Sequence, residues 1–192
     1  MKLSARLTPK RLAIYAAVLA LLWVTDPLPV TYAAGCVLAL TGIWLRVWGC
    51  GHLRKNEEIT TSGPYGYVKN PLYLGTFLIF TGLIIAAGSP RMPALLAWIV
   101  ALPLFLAGFF GYYLPRKFRI EGSRLRERFG DRFADFERSV PDFWPSFARY
   151  HGASNQPWSR EAFIENNEFG LDLIVIALFA AMPFLAQILP GR

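Results

Sequence analysis

The chain has 192 residues, is 54% hydrophobic, and carries 20 Lys and Arg against 13 Asp and Glu, a formal net charge of +7. Its apolar residues fall in long blocks separated by Arg-rich stretches, which excludes a soluble domain of amphipathic elements and points to a polytopic membrane protein. The basic balance requires no nucleic acid, because a cytoplasmic membrane face attracts anionic headgroups at about 1 kcal/mol per cation and topology alone selects it.

Lys2, Arg6, Lys10 and Arg11 precede the apolar run of the first block, 9–25, in the manner of a signal peptide. No small-residue cleavage site follows it, and Asp26-Pro27-Leu28-Pro29 leads straight into a second block, 30–51. Blocks 71–88, 92–115 and 171–189 complete five predicted transmembrane helices, each about 17 to 24 residues and matched to a ~30 Å hydrocarbon core. The expected fold is therefore all-α, a single integral-membrane domain over 1–192. Cys36 and Cys50 lie about 21 Å apart on the second helix at the α-helical rise, beyond disulfide reach. Arg46, near the cytoplasmic end of that helix, is expected to snorkel.

Lys and Arg gather before the first span, between the second and third (Arg54, Lys55, Lys69), and between 116 and 160. The opposite side has only Arg91 and Arg192. This asymmetry predicts an inner-membrane protein with a cytoplasmic N-terminus, a C-terminus outside, and function on the cytoplasmic side. Two segments there are long enough to build a site: the connection 52–70 and the stretch 116–170. Leu125, Phe129, Phe133, Phe136 and Val140 recur at helical spacing among arginines, which predicts one amphipathic helix against the membrane or the bundle end. Prolines and aromatics over 140–147 predict an interfacial, non-helical stretch. His52 and His151 are expected at the surface.

No G-x-G-x-x-G, Walker loop or metal-ligand cluster is present, so no metal is expected. The informative run is 63–75, G-P-Y-G-Y-V-K-N-P-L-Y-L-G, with turn dipeptides Gly63-Pro64 and Asn70-Pro71 and with Pro71 suited to a first helical position. This run resembles the GPYxxxRHPxYxG motif of the integral-membrane isoprenylcysteine carboxyl methyltransferase and phospholipid methyltransferase superfamily. Glu121, Leu125, Phe129-Gly130, Phe133, Phe136 and Val140-Pro141 resemble its ExxxL…FGxxYxxY…VP pattern, and Asn166-Asn167-Glu168-Phe169 its N-x-E-[YF] element. Lys69-Asn70 replaces the usual Arg-His, so no titratable imidazole stands there, and Gly122 replaces a frequent second glutamate.

The resemblance implies S-adenosylmethionine as methyl donor at the cytoplasmic helix ends, with Lys69, Asn70, Tyr73, Gly75, Glu121, Asn166 and Glu168 as cofactor-binding residues. The acceptor is expected to be lipophilic, an isoprenylcysteine carboxylate, a phospholipid amine or another isoprenoid or lipid, and to arrive from the bilayer past an entrance that the aromatic, proline-broken stretch places at Phe143, Trp144 and Trp158. No residue stands out as a general base. Two rivals are an NADPH-dependent reductase related to sterol reductases and a non-catalytic lipid-binding protein of the same fold.

Overall fold

The computed structural model describes residues 9–55, 58–166 and 169–188. Among these residues seven helices follow in order: α1 (Pro9–Trp23), α2 (Pro29–His52), α3 (Pro71–Ala87), α4 (Ala97–Phe129), α5 (Asp131–Ser139), α6 (Arg160–Asn166) and α7 (Phe169–Ile188), with a 3₁₀ turn at Gly63–Gly66. Among the described residues there is no strand. The expected all-α class holds, and Pro29 and Pro71 both open their helices, where a missing N–H costs nothing.

Helices α2 and α4 are long and apolar enough to cross a membrane. Helix α3 and residues Asp172–Ile188 of α7 are apolar but shorter. The 17 residues of α3 reach about 26 Å at the α-helical rise. Large apolar side chains lie exposed on α1 (Leu19, Trp23), α2 (Val37, Leu40), α4 (Ile99, Leu104) and α7 (Leu173, Phe184), the kind of surface that calls for a membrane or a partner.

The tightest packing joins α2 and α3 as an antiparallel pair. Gly35 faces Gly82, and Gly42 faces Gly75, so glycines seven apart on each helix let the two backbones touch. A Cβ on Gly42 would stand 2.5 Å from the Gly75 carbonyl oxygen and 2.9 Å from Ile79 Cγ1. Since backbone cannot step aside, Gly42→Ala should cost about 1–3 kcal/mol by overpacking. A lowered thermal midpoint in detergent checks this, with Gly108→Ala, where a Cβ meets nothing within 4 Å, as the control.

Helix α4 departs from expectation at both ends of the segment after 115. Pro115 was the expected end of the fourth span, yet the helix runs on to Phe129. Two π turns explain this: Leu102 N–H reaches Ala97 O and Leu114 N–H reaches Phe109 O, each bond just before a proline, at 103 and 115, that has no N–H to give. The wider turn absorbs the proline and the helix continues. The single amphipathic helix expected across 125–140 is instead broken at Gly130, whose φ of 53° few other residues tolerate. The chain folds back there, and Phe133, Phe136 and Val140 of the α5 region still pack against Leu125 and Phe129.

Candidate functional site

The 63–75 run is built as a docking edge. His52 does not reach the surface as expected: it is buried, with Nδ1 3.1 Å from Ser62 Oγ and its ring where a Cβ on Gly63 would stand. Gly63 takes φ 55°, and the 3₁₀ turn that follows sends Tyr65 inward. Beyond it, Lys69 N–H donates to Pro141 O at 2.9 Å, Tyr67 O accepts from Ser146 N–H at 2.9 Å, and Gly66 O accepts from Tyr150 N–H at 2.8 Å. The strap 140–154 is thereby laid along the motif.

Side chains complete this attachment. Lys69 Nζ lies 2.7 Å from the Asp142 carboxylate and donates to Glu137 O at 2.9 Å, while Asn70 Nδ2 donates to Asp142 O at 3.0 Å. Glu137 in turn holds Arg126 through two bonds of 2.9 and 2.6 Å. That hydrogen bond holds its carboxyl below the usual carboxylate range. Lys69 and Asn70, expected at a cofactor, thus spend their polar atoms largely on the strap while their other surfaces line the cavity behind it.

That cavity has a volume of about 590 Å³, within the range of small-molecule sites. Its wall brings together Lys69, Asn70, Tyr73, Glu121 and Asn166 from three separate parts of the chain. The Tyr73 hydroxyl donates to Glu121 Oε1, and the Tyr73 ring stands edge-on to Tyr113 at 5.8 Å, with Lys117 Nζ 5.7 Å from the Tyr73 centroid. Asn166 turns Nδ2 toward the carbonyls of Leu53 (2.8 Å), Ala162 (2.8 Å) and Cys50 (3.4 Å), tying α6 to the end of α2. Three carbonyls at one end fix the amide orientation, so Oδ1 must point the other way.

Among the described residues, three buried polar atoms on this wall have no hydrogen-bond partner: Arg46 Nε, Tyr65 Oη and Asn166 Oδ1. Their residues are 8%, 6% and 8% exposed. Arg46 donates from Nη1 to Thr76 Oγ1 at 3.0 Å, and among the described residues no carboxylate pairs with it. Burial pushes the Tyr65 phenol well above its ordinary value, an effect that Cys50 and Glu121 reinforce, so the hydroxyl stays protonated as a donor. Buried groups of this kind are normally hydrogen-bonded, so three such atoms on one cavity wall call for a partner, whether a ligand or ordered water.

The remaining predicted residues lie elsewhere. Gly75 is not on the cavity wall; it lies at the α2–α3 contact, where a Cβ would stand 2.6 Å from Arg46 Cγ. Glu168 lies outside the described residues. Phe143 is buried among Phe77, Phe109 and Phe110, with Trp144 beside it at 5.0 Å and 61% exposed. The structure does not join Trp158 to this aromatic group: its indole covers Gly51, donates to Val47 O at 3.1 Å and stacks near Phe163. Sequence reasoning placed none of Arg46, Tyr65, Tyr113 and Lys117 among the cofactor-binding residues. A lone cation inside an apolar span was the available signal for Arg46, since intramembrane charge is costly unless used.

Residues 30–110 match the phospholipid methyltransferase family, which bears out the resemblance carried by the motifs. The chain is also 32% identical over 133 residues to the cobalt-zinc-cadmium resistance protein CzcN of Cupriavidus metallidurans. It is 29% identical over the same length to the nickel-cobalt-cadmium resistance protein NccN of Alcaligenes xylosoxydans xylosoxydans. Each alignment covers 69% of this chain and 56% of the relative, so the chain spans little more than half of the proteins it matches. No solved structure matches.

Proposed function

We propose that this chain, whose residues 30–110 match the phospholipid methyltransferase family, is an integral-membrane methyltransferase acting from S-adenosylmethionine on a lipophilic acceptor. The observation that carries this reading is the cavity of about 590 Å³ with unsatisfied Arg46, Tyr65 and Asn166 atoms beside the Tyr73–Glu121 pair. Bound S-adenosylmethionine supplies a methyl group on a sulfonium, which an acceptor lone pair displaces to leave a thioether. Glu121 offers a carboxylate to that cation, held in place by Tyr73. Arg46 Nε and the Tyr65 hydroxyl offer donors to a carboxylate, and Asn166 Oδ1 an acceptor to a hydroxyl or ammonium. Methyl transfer needs alignment and exclusion of water more than acid or base groups, which suits a site with no general base in evidence.

In this reading the five apolar helices span the membrane with the N-terminus in the cytoplasm, and the strap closes the cavity on that side. Any part in metal resistance, the property named for the relatives, would be exerted through the methylated acceptor. The basic lining also suits an anionic dinucleotide, so an NADPH reductase is the second reading. Calorimetric titration of the detergent-purified protein separates them: S-adenosylmethionine should bind and NADPH should not, and the reverse result would install the reductase.

The acceptor's path is proposed to run past Phe143 and Trp144. A ladder of rings leads from Phe80 and Phe105 through Phe77 to Phe143, and from Phe109 to Tyr113 beside Tyr73. Trp144→Ala should therefore raise KM for a long-chain acceptor about tenfold while leaving donor affinity unchanged. Equal loss with a short water-soluble acceptor would mean that the ring only anchors the strap.

A further inference from the structure

The inward face of α4 changes register partway along the helix. Before Gly111 the helix is anchored by Phe105 and Phe109, whose ring centroids lie 6.0 and 5.3 Å from that of Phe77 on α3. At 3.6 residues per turn, an unbroken α-helix continued from Phe109 would bring Arg116 and Ile120 to the same side. In the structure Arg116 and Ile120 are exposed instead, and Lys117 and Glu121 stand on the cavity wall, one position later. The π turn over Phe109–Tyr113 lies at the join and takes in one residue more than an α turn. Proline 115 enforces it. In α geometry residue 115 would donate to the Gly111 carbonyl, a bond that proline cannot make, and its ring would collide with that oxygen. Leu114 N–H bonds to Phe109 O instead, and Phe109 and Leu114 enter one buried cluster with Phe143. The same shift brings Glu121 to the Tyr73 hydroxyl.

We infer that Pro115 is a positioning residue of the site: the π turn it imposes rotates the second half of α4 by one residue, about 100°, and so aims Glu121 and Lys117 into the cavity in place of Ile120 and Arg116. In the other register an isoleucine would face Tyr73, its hydroxyl would lose its acceptor, and the carboxylate would leave the wall. The consequence for donor binding rests on the methyltransferase reading. The rotation itself does not.

The test uses the full chain in detergent, with Cys36→Ala and Cys50→Ala as background, and follows the rate at which a water-soluble maleimide labels Ile120→Cys or Glu121→Cys. With Pro115 in place, position 120 should react faster than position 121. Pro115→Ala supplies the missing N–H and permits an α turn, so it should reverse that order. Deleting Gly111 together with Pro115→Ala removes the surplus residue, returns position 121 to the inward side on a plain α-helix, and should restore the parent order. In the protein with its native Ile120 and Glu121, Pro115→Ala should weaken S-adenosylmethionine about tenfold or more, the scale of a lost contact with a charged partner, and the Gly111 deletion should recover most of that affinity. An unchanged labelling order with Pro115→Ala, or a deletion that fails to bring the order back, overturns the inference. Fast labelling at both positions also overturns it, because the proline would then support the helix rather than aim it. A reversed and restored order in a protein that binds no S-adenosylmethionine would leave the rotation standing and overturn the methyltransferase reading alone.

Discussion

Arg46→Met is expected to raise the thermal stability of the unliganded protein while reducing turnover about 100- to 1000-fold. The two effects share one cause. In the free protein the guanidinium is 8% exposed, bonded to Thr76 Oγ1 at 3.0 Å and more weakly to Leu72 O at 3.5 Å, with Nε unsatisfied and no described carboxylate opposite. A methionine fills much of the same volume against Gly75 without bringing an unpaired charge, and replacing buried charge by packed apolar atoms is commonly neutral or stabilising by about 1–4 kcal/mol. With substrates present the balance reverses. A preorganised donor in a water-poor site contributes about 2.7–4 kcal/mol to a reaction that needs it, hence the large kinetic loss. A purely structural arginine, one that merely snorkels from α2, would behave in the opposite way, losing stability on substitution and leaving turnover of the surviving fold unchanged. Thermal unfolding and kcat/KM measured on the same preparation decide between the two.

Much of the fold was legible because apolar blocks in a membrane protein are long and their punctuation is explicit. Asp26-Pro27-Leu28-Pro29 and Asn70-Pro71 set the starts of α2 and α3 to within a residue or two. Pro115 misled because a proline inside a helix has two outcomes, a break or a π turn that absorbs it, and tertiary support decides which; here Phe109 and Leu114 are buried in one cluster with Phe143. Gly130 misled in the other direction, since the stripe of Leu125, Phe129, Phe133 and Phe136 keeps its apolar partners whether the helix is straight or folded back.

The candidate site was legible in type more than in detail. Tyr73, Glu121 and Asn166 reach one cavity, as the three motifs implied, but the partners of Lys69 and Asn70 could not be read from spacing. Asp142 lies on the strap, some seventy residues along the chain, and only the folded arrangement brings it to the motif. Arg46 was expected to snorkel to the interface, where such side chains usually sit, and Tyr65 was not singled out within its motif. Their burial with idle polar atoms depends on the glycine-tight α2–α3 contact and on the inward 3₁₀ turn, neither of which has a local signature strong enough to stand alone.

Glu121 gives the clearest separation of a charge from a hydrogen bond. Glu121→Ala is expected to weaken S-adenosylmethionine binding by about 10- to 150-fold, the loss of about 1.5–3 kcal/mol for an interaction with a charged partner. Alanine also removes the acceptor of the Tyr73 hydroxyl, so the loss would mix two effects. Glu121→Gln separates them, because the side-chain carbonyl oxygen still accepts from Tyr73 while the negative charge is gone. If the carboxylate faces the sulfonium, the glutamine variant should lose most of the affinity for S-adenosylmethionine and almost none for S-adenosylhomocysteine, which lacks that charge. Tyr73→Phe should then weaken both ligands mildly, since it frees the carboxylate from its anchor without neutralising it. Equal affinities of the glutamine variant and the parent for S-adenosylmethionine would instead make Glu121 a brace between α3 and α4, and the cation would have to be met by groups other than this carboxylate.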